Sequence, residues 1–150
     1  MLLQEKTAVI TGCNRGIGKA VLETFAENGA DIFACVRKES DEFSNVAARL
    51  SEKTGVSITP VFFDFTESEQ VKAGIKAILS SKKQIDIMVN NAGVASGSFF
   101  QMTSPKDLKQ VFEINFFSQI LFTQGISRYM TRFKTGSIIN IASTAGLIGD

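Results

Sequence analysis

Thr11-Gly12-Cys13-Asn14-Arg15-Gly16-Ile17-Gly18 follows the apolar run from Lys6 to Thr11 and precedes a segment whose apolar residues, Val21, Leu22 and Phe25, fall at helical spacing. Strand, glycine turn and helix in that order predict a βα unit in which several backbone N–H groups and a helix N-terminus converge on one point. Such a point favours a pyrophosphate, and glycines let the backbone approach it closely. The spacing Gly12-x-x-x-Gly16-x-Gly18 matches the commoner G-x-G-x-x-G only in part, so the stretch also reads as a glycine turn with a packing role.

The pattern continues outward on both sides. The first helix is expected over Gly16 to Asn28 and closes at Gly29, and Asp31 to Val36 is a second strand. A helix from Ser40 to Lys53 carries Phe43, Val46, Ala47 and Leu50 on one face and ends at Gly55, before a strand from Val56 to Phe63. Thr66-Glu67-Ser68-Glu69 has capping-box spacing and opens a helix with Val71, Ile75, Ile78 and Leu79 inward. A strand from Ile85 to Asn90 follows. Ser104-Pro105-Lys106-Asp107 combines a cap, a first-turn proline and an acid, and starts a long helical stretch toward Phe133 that contains a break. Gly136 leads into a fifth strand, Ser137 to Ala142.

Five apolar strands alternating with helices predict an α/β fold, a doubly wound parallel sheet covered on both faces, because parallel strands need crossover helices. The 150 residues show no internal repeat or linker, so they are expected to form a single domain, residues 1–150.

Composition narrows the function classes. Net charge is +1, with Lys and Arg scattered among acids, so no nucleic-acid partner is expected. Two cysteines and no histidine give no zinc site, and no metal is expected. Histidine-based catalysis is excluded. The N-terminus lacks a long apolar stretch and no run of 18 apolar residues occurs, so no membrane partner is expected and the default location is cytoplasmic.

A second motif, Asn90-Asn91-Ala92-Gly93, sits at the end of the fourth strand. With Thr11-Gly12 to Gly16-Ile17-Gly18 before it and Ser143 after the fifth strand, the chain resembles the short-chain dehydrogenase/reductase family over its whole length. It is most similar to 3-oxoacyl-(acyl carrier protein) reductase-like members. The resemblance implies a Rossmann-like sheet of order 3-2-1-4-5 with a nicotinamide dinucleotide across the strand carboxyl ends. It assigns Gly12, Cys13, Asn14, Arg15, Gly16, Ile17 and Gly18 to the phosphate turn. Asn91, Ala92 and Gly93 would border the adenosine ribose and the nicotinamide. Asp64 and Phe65 would flank adenine, although Asp64 reads nearly as well as a turn residue after a strand.

Cofactor choice rests on the end of the second strand, where NAD-dependent relatives place an acid on the ribose hydroxyls. Here that position is Val36, followed by Arg37. With Arg15 in the same corner, two guanidinium groups suit a 2′-phosphate, which makes NADP(H) the expected cofactor; the alternative is two solvated surface arginines.

The resemblance further implies hydride transfer to a carbonyl, such as a 3-oxo group on a small or carrier-linked substrate of fatty acid synthesis, or the reverse oxidation. Ser143 would bond the carbonyl oxygen, and Asn115 would hold a water of the proton relay; each also reads as a plain loop or helix residue. The family's proton donor is a tyrosine followed four residues later by a lysine, whose charge lowers the tyrosine pKa. Tyr129 is followed at that distance by Phe133 and precedes Ser143, so it is not expected to be that donor. The pair is expected just past Asp150, and the chain is read as an N-terminal portion of a homodimeric or homotetrameric enzyme. Alone it is expected to be inactive and poorly soluble. A nucleotide-binding protein without turnover is the alternative. Phe99, Phe100 and Met102 read either as an apolar substrate channel or as ordinary core.

Overall fold

Thr7–Thr11 forms β1, and every one of its residues is buried, as expected of a strand covered on both faces. The computed structural model describes residues 1–95, 97 and 99–144. Around β1 the elements follow in the order α1 (Gly16–Glu27), β2 (Asp31–Val36), α2 (Asp41–Thr54), β3 (Ile58–Phe62), α3 (Ser68–Ser80), β4 (Ile87–Asn90), α4 (Pro105–Phe112), α5 (Ser118–Met130) and β5 (Ser137–Asn140). The strands form one sheet of order β3-β2-β1-β4-β5, and each neighbouring pair is parallel, so the expected topology is the observed one.

Alternate residues of β1 feed two cores, one on each face of the sheet. Val9 and Met88 pack with Val71 and Ile78 of α3 and with Phe122, Ile126 and Met130 of α5. Ala8, Ile10 and Ala34 pack with Leu22 and Ala26 of α1 and with Phe43 of α2. Burying whole Phe, Ile and Leu side chains at about 1.5–3 kcal/mol each is the main force that holds both layers on the sheet.

Four local expectations are corrected. Thr66 does not cap α3: Glu67 holds the N-cap position without a side-chain bond, because the Thr66 amide and hydroxyl both donate to Asp64 Oδ1 at 2.8 Å. The fourth strand starts at Ile87 rather than Ile85, since the Asp86 carboxylate accepts the Thr7 amide at 3.0 Å and replaces a ladder partner. The third starts at Ile58 and the fifth stops at Asn140, differences of the size expected at element ends.

The break in the long helix is a π turn, Glu113–Phe117, in which the Ser118 amide donates to the Glu113 carbonyl. One extra residue per turn changes the angular phase between α4 and α5, and such turns recur at functional sites. Asn115 lies inside it.

Candidate functional site

The site begins where β1 and β4 end side by side. The Thr11 hydroxyl accepts the amides of Asn91 and Ala92, both at 3.0 Å, while Asn91 Nδ2 donates to the carbonyls of Thr11 and Gly12 at 3.0 and 3.3 Å. The two quoted motifs are therefore bonded to each other.

Gly12 turns the chain away from β1 at φ +75, and a Cβ there would lie 2.8 Å from Asn91 Nδ2. Its amide and that of Cys13 both donate to the Cys35 carbonyl, at 2.9 and 3.3 Å. Those two N–H groups are thus taken by β2. The N–H groups available to an anion are the later ones, at the start of α1, where helix geometry leaves the first turn without intrahelical partners.

Nothing in the sequence caps that helix start. Arg15, its N-cap, makes no side-chain cap bond, and no acid stands in the first turn. By contrast Ser40 caps α2 by accepting the Phe43 amide, with Asp41 and Glu42 behind it, and Ser104 caps α4 by accepting the Asp107 amide. An uncapped N-terminus with its dipole directed into a cleft favours a negative charge. Gly16, at φ +56, has no atom within 4 Å of where a Cβ would stand, so that side of the turn is open.

A cleft of about 580 Å³ runs across the carboxyl ends of the strands. It gathers Gly12, Asn14, Arg15, Gly16 and Ile17 from the turn, Arg37 from the end of β2, Asp64 and Phe65 from the end of β3, and Asn91, Ala92 and Gly93 from the end of β4. Two residues of the turn lie behind it. The Cys13 side chain is in the core, its thiol donating to the Ile10 carbonyl at 3.1 Å, and burial pushes that thiol up to about 12. Gly18 packs under the turn, where a Cβ would overlap the Gly12 carbonyl and Asn91 Nδ2. It serves close helix–strand packing, the packing role that the motif left open.

Arg15, Arg37 and Lys38 all line the β2 end of the cleft, and none is in an ion pair among the described residues. Lys38 was not singled out from sequence, though its place directly after Arg37 is a signal. At the end of the neighbouring β3, Asp64 is fixed by Thr66 through Oδ1, and its amide donates to Gln70 Oε1 at 3.0 Å. The Phe65 ring is held edge-on to Phe63 and Phe122, with centroids 5.1 and 5.9 Å away.

Asn115 is a clamp. Its Oδ1 accepts the Val94 amide at 2.8 Å and its Nδ2 donates to the Val94 carbonyl at 2.7 Å. Both ends of the amide are thereby engaged with the loop after Gly93. Ser143 is exposed three residues past Asn140, which pairs with Asn90, so it leaves the sheet at the same end as Gly93 without lining the cleft described. Tyr129 stays apart from the cleft, its ring edge-on to Phe133 at 5.4 Å and under Arg132 at 5.3 Å. Phe99, Phe100 and Met102 lie in or beside a short 3₁₀ turn and are largely exposed, which removes the core alternative. Ser118 and Gln119, unmentioned by any motif, bond the backbones of Phe65 and Ala92.

Among the described residues no cluster of three or more Cys, Asp or Glu forms a candidate metal site, and no helix is long and apolar enough to cross a membrane.

This arrangement has known counterparts. The model of the family described as short chain dehydrogenase matches residues 6–150. The chain belongs to the short-chain dehydrogenase family. Among curated members, the chain is 32% identical to the 3-oxoacyl-[acyl-carrier-protein] reductase of Chlamydia muridarum over 99% of its own length and 59% of the relative's. It is 34% identical to the NADPH-dependent 3-dehydrocapnine reductase of Ornithobacterium rhinotracheale, over 94% of its length and 50% of that protein. Among solved structures it superposes on L-sorbose reductase from Gluconobacter frateurii, complexed with NADPH and L-sorbose, with a TM-score of 0.92 and 32% identity, covering 100% of this chain and 57% of that one. The chain thus spans between 50% and 59% of the length of these relatives.

Proposed function

We propose that the chain is a single dinucleotide-binding domain that holds NADP(H) and serves the reduction of a carbonyl, a 3-oxo group on a small or carrier-linked substrate, or the reverse oxidation. The observation that carries the cofactor choice is the cationic corner at the end of β2, where Arg15, Arg37 and Lys38 line the cleft and Val36 stands where an acid would select NAD. Two guanidinium forks and an ammonium suit a dianionic 2′-phosphate through charge-assisted bonds. The relatives lend support: one is named for NADPH, one was solved in complex with NADPH, and another is a 3-oxoacyl reductase.

The residues fit such a group. The uncapped α1 start with Asn14, Arg15, Gly16 and Ile17 receives the pyrophosphate, and the open face of Gly16 leaves it room. Asp64 and Phe65 form the adenine wall, and Asn91, Ala92 and Gly93 the ribose and nicotinamide wall. When bound, the dinucleotide supplies or accepts a hydride at the carbonyl carbon. Ser143 is assigned to the carbonyl oxygen as a hydrogen-bond donor. Asn115 is assigned to the proton relay, and its grip on Val94 fixes the loop past Gly93, where Val94 lines the cleft.

Calorimetric titration tests the reading. NADPH is expected to bind at least about tenfold tighter than NADH, because two or more charge-assisted bonds are at stake. Arg37→Ala should remove most of that preference without changing NADH affinity. Equal or tighter binding of NADH by the unmodified protein refutes the cofactor assignment.

A further inference from the structure

We infer that Ser118 and Gln119, at the start of α5, are positioning residues that brace the two segments lining the cleft, Ser118 the adenine wall after β3 and Gln119 the nicotinamide wall after β4. The inference rests on the dinucleotide reading above, and neither side chain lines the cleft. Ser118 is 1% exposed, and its hydroxyl donates to the Phe65 carbonyl at 2.6 Å. Gln119 is 9% exposed, and its Nε2 donates to the Ala92 carbonyl at 2.7 Å. Phe65 and Ala92 follow β3 and β4, both line the cleft, and both pack into the same apolar cluster, on the face of the sheet that α5 covers. One helix end therefore reaches both, and Asn115, three residues before Ser118, extends the same face to Val94.

Neither residue suits its place as mere packing. A buried hydroxyl is unfavourable unless it is bonded, and Ala at this point would be the better helix former. Gln119 is costlier still, since its Oε1 is buried with no partner among the described residues. Its one bond is the one to Ala92.

Ser118 also has a competing acceptor. Glu113 Oε1 lies 2.7 Å from the same hydroxyl, which has a single proton to give. A glutamine at 113 would turn a donor toward Ser118 and leave the serine proton to Phe65.

The test separates the two walls by titrating the protein with 2′,5′-ADP, the adenosine half, and with reduced nicotinamide mononucleotide, the other half. Ser118→Ala should weaken 2′,5′-ADP about three- to tenfold, the worth of one hydrogen bond, and leave the mononucleotide within twofold. Gln119→Leu should do the reverse, weakening the mononucleotide about three- to tenfold and leaving 2′,5′-ADP within twofold. Glu113→Gln, which keeps volume, should retain or tighten 2′,5′-ADP. Equal losses on both halves, no loss on either, or a loss in Glu113→Gln matching that of Ser118→Ala overturns the inference. Hydrogen exchange gives a readout free of cofactor: Ser118→Ala should speed exchange over residues 63–66 and leave β1 unchanged, and unchanged exchange there also overturns it. If the unmodified protein binds no dinucleotide, the cofactor reading falls, and the exchange result still decides whether Ser118 braces that wall.

Discussion

Gly16 and Gly18 stand two residues apart in one turn and do different work. At Gly18 an added Cβ would overlap the Gly12 carbonyl, a backbone atom that cannot swing aside. Gly18→Ala is therefore expected to cost about 1–3 kcal/mol of stability, as overpacking does, seen as a lower urea midpoint. Gly16→Ala meets open space and pays only for its positive φ, about 1–2 kcal/mol. Cys13 yields a second prediction at this scale. With both thiols buried, neither Cys13 nor Cys35 should react with a disulfide reagent in the native protein at pH 8, and both should react on unfolding. Burial raises the Cys13 pKa from 9.0 to about 12, so the folded state holds a proton that the unfolded state releases. Stability from this group is complete below pH 9 and is lost as pH rises toward 12, a decline that Cys13→Ala should flatten. The glycine spacing made the turn legible in the sequence. Which glycine faced the ligand and which the core was not legible, because that depends on where β4 lies, and Cys13 faces inward for the same reason.

At the scale of elements, strands and helices were legible because their apolar periods differ, and the failures fell at their ends. The Thr66 spacing suggested a cap, but Asp64, two residues earlier, competes for the same hydroxyl and wins by also taking the Thr66 amide. The break in the long helix was legible from its length, whereas the π turn was not, since one extra residue leaves little trace in a stretch apolar on several sides. Asp31 shows what ties the sheet edge. Its carboxylate accepts the Ser57 amide at 2.8 Å and Lys83 Nζ at 2.7 Å, joining the starts of β2 and β3 to the end of α3. Partial burial alone would raise its pKa, but Lys83 and the Ser57 amide together outweigh burial and hold the carboxyl below the usual range. The folded state thus prefers the ionised form, and the stabilisation is present above the unfolded pKa of about 3.9 and disappears as pH falls through the lower folded value. Asp31→Asn should be less stable at pH 7 by no more than about 1 kcal/mol, since the pair is solvent-screened, and should match the parent near pH 2. Melting temperatures of the two across that range check it.

For the whole molecule, the doubly wound order places the cleft where β1 passes from one neighbour to the other, the position expected for a ligand in an open parallel sheet. The same order leaves β5 on an edge, with Ile138, Ile139 and Ile141 exposed. Along α4, the π turn and α5, Leu108, Phe112, Phe116 and Ile120 recur every four residues and are exposed, Phe112 and Phe116 each to 54%. Such a stripe of exposed apolar side chains and a strand edge uncovered by any described residue are both surfaces that soluble proteins cover by association. The stripe contributes nothing to the cores that hold the sheet, so charging it should alter association and leave folding intact. Sedimentation velocity at rising concentration is expected to show species heavier than the 16.3 kDa monomer. Joint replacement Phe112→Lys and Phe116→Lys should shift the distribution toward monomer without lowering Tm. A parent protein that sediments as a monomer at every concentration, with a sharp melting transition, would show that the stripe is tolerated in water and that the association expected from it does not occur.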